Sequence, residues 1–236
     1  MRFLWLILAG LALGCVSGAS GPADEAVGYK LGFTSAAAQQ RFGVASPVWG
    51  RLLARMRVPR DGEVSASSFS RVFVEAEIAF TIGRRVDVRL DDASELRAYV
   101  RTVHPALELP DWRFGSGAKP GVDEILADGV GAHRFVLGSG REPGDVKLAT
   151  ATVVLERDGD RIGRGRGADA LGSPWLALLW LSHALLDAGG ALEPGEIVLT
   201  GALGPVHVFA PDEAAGDYRV TVEGLGSVGV TITPAR

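Results

Sequence analysis

The apolar positions fall into two regimes along the chain. Residues 3–14 form one unbroken apolar run, preceded by a single basic residue, Arg2, and followed at once by Cys15. From residue 27 onward the apolar positions come in short bursts separated by Gly, Pro, Asp and Ser, the spacing of strands and turns. Runs rich in Val, Phe and Ile predict strands over residues 69–82 and 103–109, the second opened by a proline. Further strands are predicted over 135–137, 147–157, 197–200, 206–209, 218–222 and 228–232, and Asp158-Gly159-Asp160 marks a hairpin that returns through 161–166. Short helices are predicted over 36–42, 48–56 and 93–100, and a long one over 174–188. For the long helix Ser173 serves as N-cap, Pro174 stands at the first helical position and Gly189-Gly190 stops it. Leu176, Leu179, Trp180, His183, Leu186 and Asp187 make its stripe, and its almost complete apolarity predicts burial against a sheet. Together these elements predict an α+β fold: a mixed, β-rich rolled or barrel-like sheet with one long buried helix.

The opening run belongs to a different problem. One Arg, then an apolar stretch, then small residues is the layout of a secretory signal, and the stretch is shorter than the roughly 20 residues that span a bilayer. Ala12-Leu13-Gly14-Cys15 resembles a bacterial lipoprotein box, which makes Cys15 the expected lipid attachment point and the membrane a partner through that anchor. An ordinary signal cleaved near Gly18 or Ala19, or an uncleaved hydrophobic N-terminus, stays open. The expected organisation is a signal over residues 1–14, a tether over 15–26 and one domain over 27–236, with the protein exported to the periplasm or anchored at a membrane.

Composition narrows the function classes. Lys+Arg 24 against Asp+Glu 28 gives a formal charge of −4, without the basic stripe of a nucleic-acid binder. One cysteine excludes an internal disulfide framework and a Cys-based zinc site. Glycine, 32 of 236 residues, is roughly twice its usual share and points to many tight turns.

The informative chemistry lies in Phe73-Val74-Glu75-Ala76-Glu77-Ile78-Ala79-Phe80. In a strand, Glu75 and Glu77 share a face. Two adjacent carboxylates among apolar neighbours repel and lose hydration, a penalty that a divalent cation removes; oxygen-only ligands suit Mg²⁺, Mn²⁺ or Ca²⁺. An edge strand with its Glu face in water is the alternative. Glu108, set in Pro105-Ala106-Leu107-Glu108-Leu109, is a third carboxylate in a costly place. Asp111 is either a helper or a turn residue after Pro110. His133 is read as a loop residue, and His104, His183 and His207 as satisfied core or surface groups. Gly163-Arg164-Gly165-Arg166-Gly167 superficially matches a phosphate loop but lies in a hairpin return strand.

With these residues in hand, the chain resembles the 2-keto-4-pentenoate hydratases and 4-oxalocrotonate decarboxylases of the fumarylacetoacetate hydrolase superfamily. Gly28-Tyr29-Lys30-Leu31-Gly32-Phe33-Thr34-Ser35 resembles an early family motif, Glu75-Ala76-Glu77 the metal-binding Glu-x-Glu, and Pro105-Ala106-Leu107-Glu108 the strand bearing the third ligand. Leu171-Gly172-Ser173-Pro174, residues 195–201 and residues 224–228 follow in order. The resemblance implies Mg²⁺ or Mn²⁺ on Glu75, Glu77 and Glu108, and Lys30 for proton transfer or carboxylate binding, where a solvated Lys at a strand end is the alternative. It also implies a 2-oxo or 2-hydroxy-dienoate acid as small-molecule partner, water addition as the reaction, and a homo-oligomer. Decarboxylation, or a non-catalytic exported binding module on the same scaffold, are the competing readings. Three departures stand out. The helical segment that usually precedes the Lys30 motif is replaced by the signal and tether, Ala202 stands where Ser or Gly is common, and residues 127–133 lack an amide and two hydroxyls.

Overall fold

In a computed structural model, which describes residues 22–115, 117–144 and 146–235, the chain forms two β-sheets with one long helix packed on them. Residues 1–21, and with them the signal and Cys15, lie outside the described residues. The first sheet runs β2 (Val48–Leu53), β1 (Ala26–Gly32), β9 (Ile197–Leu199), β4 (Val72–Ile82), β5 (Val100–Leu109) and β6 (Arg134–Leu137), and β10 (His207–Phe209) also pairs with β4. The second runs β3 (Glu63–Ser65), β12 (Gly226–Thr233), β11 (Gly216–Val222), β7 (Thr152–Arg157) and β8 (Asp160–Arg166). Both are mixed: β1–β9 and β12–β3 are parallel, the other pairings antiparallel. The α+β, β-rich architecture is the one expected.

Strand β4 explains the arrangement. Its even-numbered residues, Val72 to Ile82, are all buried in the main core with side chains from the second sheet. Its odd-numbered residues face a smaller cluster in which Ala79 meets Ala106, Leu137, Ile197 and Leu199. Around Ala79 the strand is therefore covered on both faces, whereas Phe73, Glu75 and Thr81 on the odd face stay half-buried.

Helix α3 (Pro174–Asp187) begins as expected: the Ser173 hydroxyl accepts the Trp175 N–H, and Pro174 opens the first turn. Its buried face differs from the expected stripe. Trp175, Leu178, Leu181, Ser182 and Leu185 point inward, whereas Leu176 is 45% exposed. In a helix that is apolar all round, periodicity does not select the inner face; contacts do, here Trp175 against Phe80 at 4.7 Å between ring centroids.

Residues 48–56 are corrected from helix to the strand β2 with a 3₁₀ turn at Ala54–Met56. Val48, Gly50 and Leu52 are buried in alternation and pair with β1, so the true period is two. The helix expected over 93–100 is a single 3₁₀ turn, Glu95–Ala98. Pro105 lies inside β5, opposite Ile78, instead of opening it. The strand expected from residue 147 begins only at Thr152, after a turn over residues 148–150. Residues 22–26, assigned above to the tether, carry a 3₁₀ turn, Pro22–Asp24, and the first residue of β1. Strands β1 and β3 and the helix α2 (Val122–Ala127) are additions; α1 (Ala36–Phe42) stands where expected. Among the described residues no helix is long and apolar enough to cross a membrane.

Candidate metal centre

Glu75 and Glu77 lie two residues apart on the odd face of β4, and the antiparallel register sets Glu75 directly opposite Glu108 on β5. The three offer carboxylate oxygens that all lie within 4.8 Å of one another. Glu77 and Glu108 are fully buried, and Glu75 opens partly to a cleft. Because β4 is flanked by β5 and β9, the edge-strand alternative is excluded.

Lys30 joins from β1, whose register to β9 brings it onto the same face. Its ammonium lies 2.8 Å from Glu108 Oε1, and the residue as a whole is 3% exposed. The two side chains form a buried ion pair. Glu77 is held from the other side: its Oε2 accepts the Gly201 N–H at 2.8 Å. Gly201 sits at φ +93°, and a Cβ there would lie 2.3 Å from Thr34 Oγ1, so only glycine brings this N–H to the carboxylate.

The electrostatics describe a site short of positive charge. Burial, above all, raises the Glu75 carboxyl to about 7, with Glu108 adding and Lys30 opposing. Glu77 is held well above the usual carboxylate range by burial, then by Glu108 and Glu75. Burial pulls the Lys30 ammonium down, but Glu108, Glu75 and Glu77 outweigh it and leave its pKa raised. With all three carboxylates ionised, the one ammonium would leave two negative charges unmatched, and the raised Glu75 and Glu77 carboxyls reflect that shortfall. Glu77 Oε1 and Glu108 Oε2, both buried, have no hydrogen-bond partner, although buried polar groups are almost always paired. Orphaned hard oxygens and a charge excess of two fit a divalent cation such as Mg²⁺ or Mn²⁺.

The cleft above the centre encloses about 960 Å³ and reaches from Lys30 and Glu75 to Trp112 and Phe114. Both altered stretches noted in the sequence lie on it, through Ala202, Val130 and Gly131. Val130 has φ +58° between Gly129 and Gly131, each at +71°, a strained conformation for a β-branched residue. Its side chain fits against Gly32 and Gly50, where added Cβ atoms would meet Val130 Cγ1 at 2.6 Å and the Gly129 carbonyl at 2.3 Å.

Asp111 does not join the carboxylates. It pairs with Val72, on the opposite face of the ladder, and its Oδ1 accepts the Ser70 and Arg71 N–H groups. His104 is satisfied by Thr81, Thr102 and the Gly138 carbonyl, and His183 by the Leu90 carbonyl. His133 lies on the loop before β6 with its ring edge-on to Phe69, and its Nε2 is unpartnered, as is that of His207. The glycine-arginine stretch is strand β8.

Comparison with known proteins places this geometry. Residues 53–233 match the fumarylacetoacetate (FAA) hydrolase C-terminal family. A 2-keto-4-pentenoate hydratase of Burkholderia vietnamiensis is 35% identical over 213 residues, 89% of this chain and 79% of the relative. A 4-oxalocrotonate decarboxylase of a Pseudomonas species is 32% identical over 89% of this chain and 80% of its own. Among solved structures, 4-oxalocrotonate decarboxylase from Pseudomonas putida G7, complexed with magnesium and adipate, superposes with a TM-score of 0.82 at 28% identity, covering 89% of this chain and 79% of that one.

Proposed function

This chain belongs to the fumarylacetoacetate hydrolase C-terminal family, and from that membership we propose that it is a metal-dependent hydro-lyase that adds water to a 2-hydroxy-dienoate or related 2-oxo acid. Glu75, Glu77 and Glu108 hold Mg²⁺ or Mn²⁺ in this reading. The observation that carries it is the trio of buried carboxylates with orphaned oxygens at the base of a cleft. Held by these three carboxylates, a cation would supply a Lewis acid for a substrate's carboxylate and 2-oxo group.

The chain's own groups do the rest. Gly201 N–H fixes the orientation of Glu77. Lys30, held charged beside Glu108, lines the cleft and in this reading binds a substrate carboxylate or delivers a proton. The apolar wall of Phe33, Phe73 and Trp112 keeps bulk water from the conjugated chain. Residues 27–236 form the catalytic domain in this account, and Cys15 anchors an exported protein to the membrane. The mass of the mature N-terminus tests the anchor: an acylated Cys15 supports it, and an intact Met1 contradicts it.

Turnover tests the activity. Metal-depleted protein supplemented with Mg²⁺ or Mn²⁺ is expected to bleach the ultraviolet absorbance of 2-hydroxypenta-2,4-dienoate. Activity that survived Glu75→Ala together with Glu77→Ala would rule out the carboxylate centre. Release of CO₂ from 4-oxalocrotonate without hydration would assign decarboxylation instead. Tight Mn²⁺ binding with no turnover of any dienoate or 2-oxo acid would leave a binding module.

A further inference from the structure

Next to the metal centre the sheet carries an apolar ledge. Phe73 N–H donates to the Pro110 carbonyl at 3.0 Å, which sets Phe73 opposite Pro110 one rung beyond Glu75 and Glu108. On the other side of β4, the β10 register sets Val208 opposite Phe73. Val208, Phe73 and Pro110 therefore form one rung across three strands, and all three line the cleft. Adjacent strands lie about 5 Å apart, and alternate residues of a strand about 7 Å. The ledge is thus about 10 Å wide and one step of about 7 Å from Glu75.

Aromatic rings wall the ledge. Trp112 stacks on Phe73 with centroids 6.1 Å and planes 28° apart, and Phe114 meets Trp112 edge-on at 5.0 Å. Phe33 and Phe42, stacked at 4.4 Å, pack with Trp112 and Phe114 around Ile125 and Val130. All five rings line the cleft and are only half-buried. Val208 itself is 44% exposed. So much apolar surface gathered in one cleft marks a binding site. The acidic side chains beyond the metal centre are already engaged: Asp111 and Asp169 accept backbone N–H groups, and Asp128 pairs with Arg113. Arg41 and Arg71 stand exposed. The cleft's volume, about 960 Å³, lies at the upper end of the roughly 300–1,000 Å³ of small-molecule sites, far more than a five-carbon acid fills.

We infer that the Val208–Phe73–Pro110 ledge is a subsite for an aromatic ring, so that the substrate is a 2-oxo or 2-hydroxy-dienoic acid with an aryl group at its far end. The inference rests on the function proposed above, because it needs the 2-oxo-acid end at Glu75, Glu77 and Glu108. A link of about three carbons and half a ring span the step of about 7 Å from the centre to the ledge. A ring conjugated with a diene is coplanar with it, and the ledge offers such a plate a flat apolar bed. Phe73 and Trp112 offer the ring stacked or edge-on contacts, which add to the gain from burial alone. A charged end group on the same rung would give up hydration to three apolar side chains.

Two stable acids with the same head group test it: 2-oxo-5-phenylpentanoate and 2-oxopentanoate. Calorimetric titration into Mn²⁺-loaded protein should show the phenyl acid bound at least about tenfold more tightly, as burial of a ring predicts. Phe73→Ala should cut that preference to about threefold or less by weakening the phenyl acid far more than 2-oxopentanoate, a split that a fold defect would not produce. Val208→Thr, a change of similar size at an exposed position, should lower the preference by a smaller factor. Equal affinities in the unaltered protein, tighter binding of 2-oxoadipate than of the phenyl acid, or a phenyl preference that persists undiminished in both variants would each overturn the subsite while leaving the metal centre standing. Binding of neither acid to Mn²⁺-loaded protein would overturn the 2-oxo-acid reading together with the subsite. Failure to bind Mn²⁺ at all would overturn the metal centre too, and is seen before either acid is added.

Discussion

At Glu77, a fully buried carboxylate spends one oxygen on the Gly201 N–H and leaves the other unpartnered. Such a group destabilises the fold unless a cation meets it. Glu77→Gln is therefore expected to raise the melting temperature of metal-depleted protein and to abolish the further rise that Mn²⁺ gives the unaltered chain; differential scanning calorimetry reads both. Gly201→Ala should behave differently, because its Cβ has no room against Thr34. We expect a loss of roughly 1–3 kcal/mol in denaturant titrations together with weakened metal binding. The carboxylates were legible in the sequence because apolar neighbours made their positions costly. Lys30 was legible only through a family resemblance, since its burial depends on β9 and β5, far away in the chain. The Gly201 contact left no mark, because a backbone N–H has no letter of its own.

The long helix α3 was easy to find and hard to orient. Its cap residues gave its limits to within a residue, yet its uniform apolarity hid which side faces the core. The observed face makes a direct prediction. Leu178→Ala, at a fully buried position, should cost about 2–5 kcal/mol, whereas Leu176→Ala, on the exposed side, should change stability by no more than about 0.5 kcal/mol. Chemical denaturation of the two variants distinguishes the observed face from the stripe that the sequence suggested. Strand β2 shows the opposite difficulty: Leu52, Leu53, Ala54 and Met56 look helical in isolation, and only pairing with β1 imposes the alternation. Strand β1 was missed because Gly28 to Leu31 are buried on both faces, so no alternation is visible and Lys30 reads as a surface residue.

Across the whole molecule, stability is tied to protonation in two opposed ways. His104 joins β4 and β5 to the segment after β6 through Thr81, Thr102 and Gly138. Burial, above all, lowers its pKa, with the Gly138 carbonyl opposing and Arg57 adding. The unfolded chain takes up this proton near 6.5 while the folded chain resists it, so stability falls as pH drops from about 6.5 through the lowered folded value. Glu75 works in the other direction. Its folded carboxyl titrates at about 7, so metal-depleted protein loses stability as pH rises from the ordinary carboxylate range toward 7. Thermal melts at saturating Mg²⁺ should isolate the histidine effect, and His104→Gln should flatten the decline below about pH 6.5.

The central claim is that Glu75, Glu77 and Glu108 together hold one divalent cation, and calorimetric titration of metal-depleted protein with Mn²⁺ tests it most directly. The account predicts one site per chain, affinity that weakens as pH falls through about 7 because protons at Glu75 compete, and loss of the site in Glu77→Gln and in Glu108→Gln. Unchanged Mn²⁺ affinity in both folded variants would contradict it.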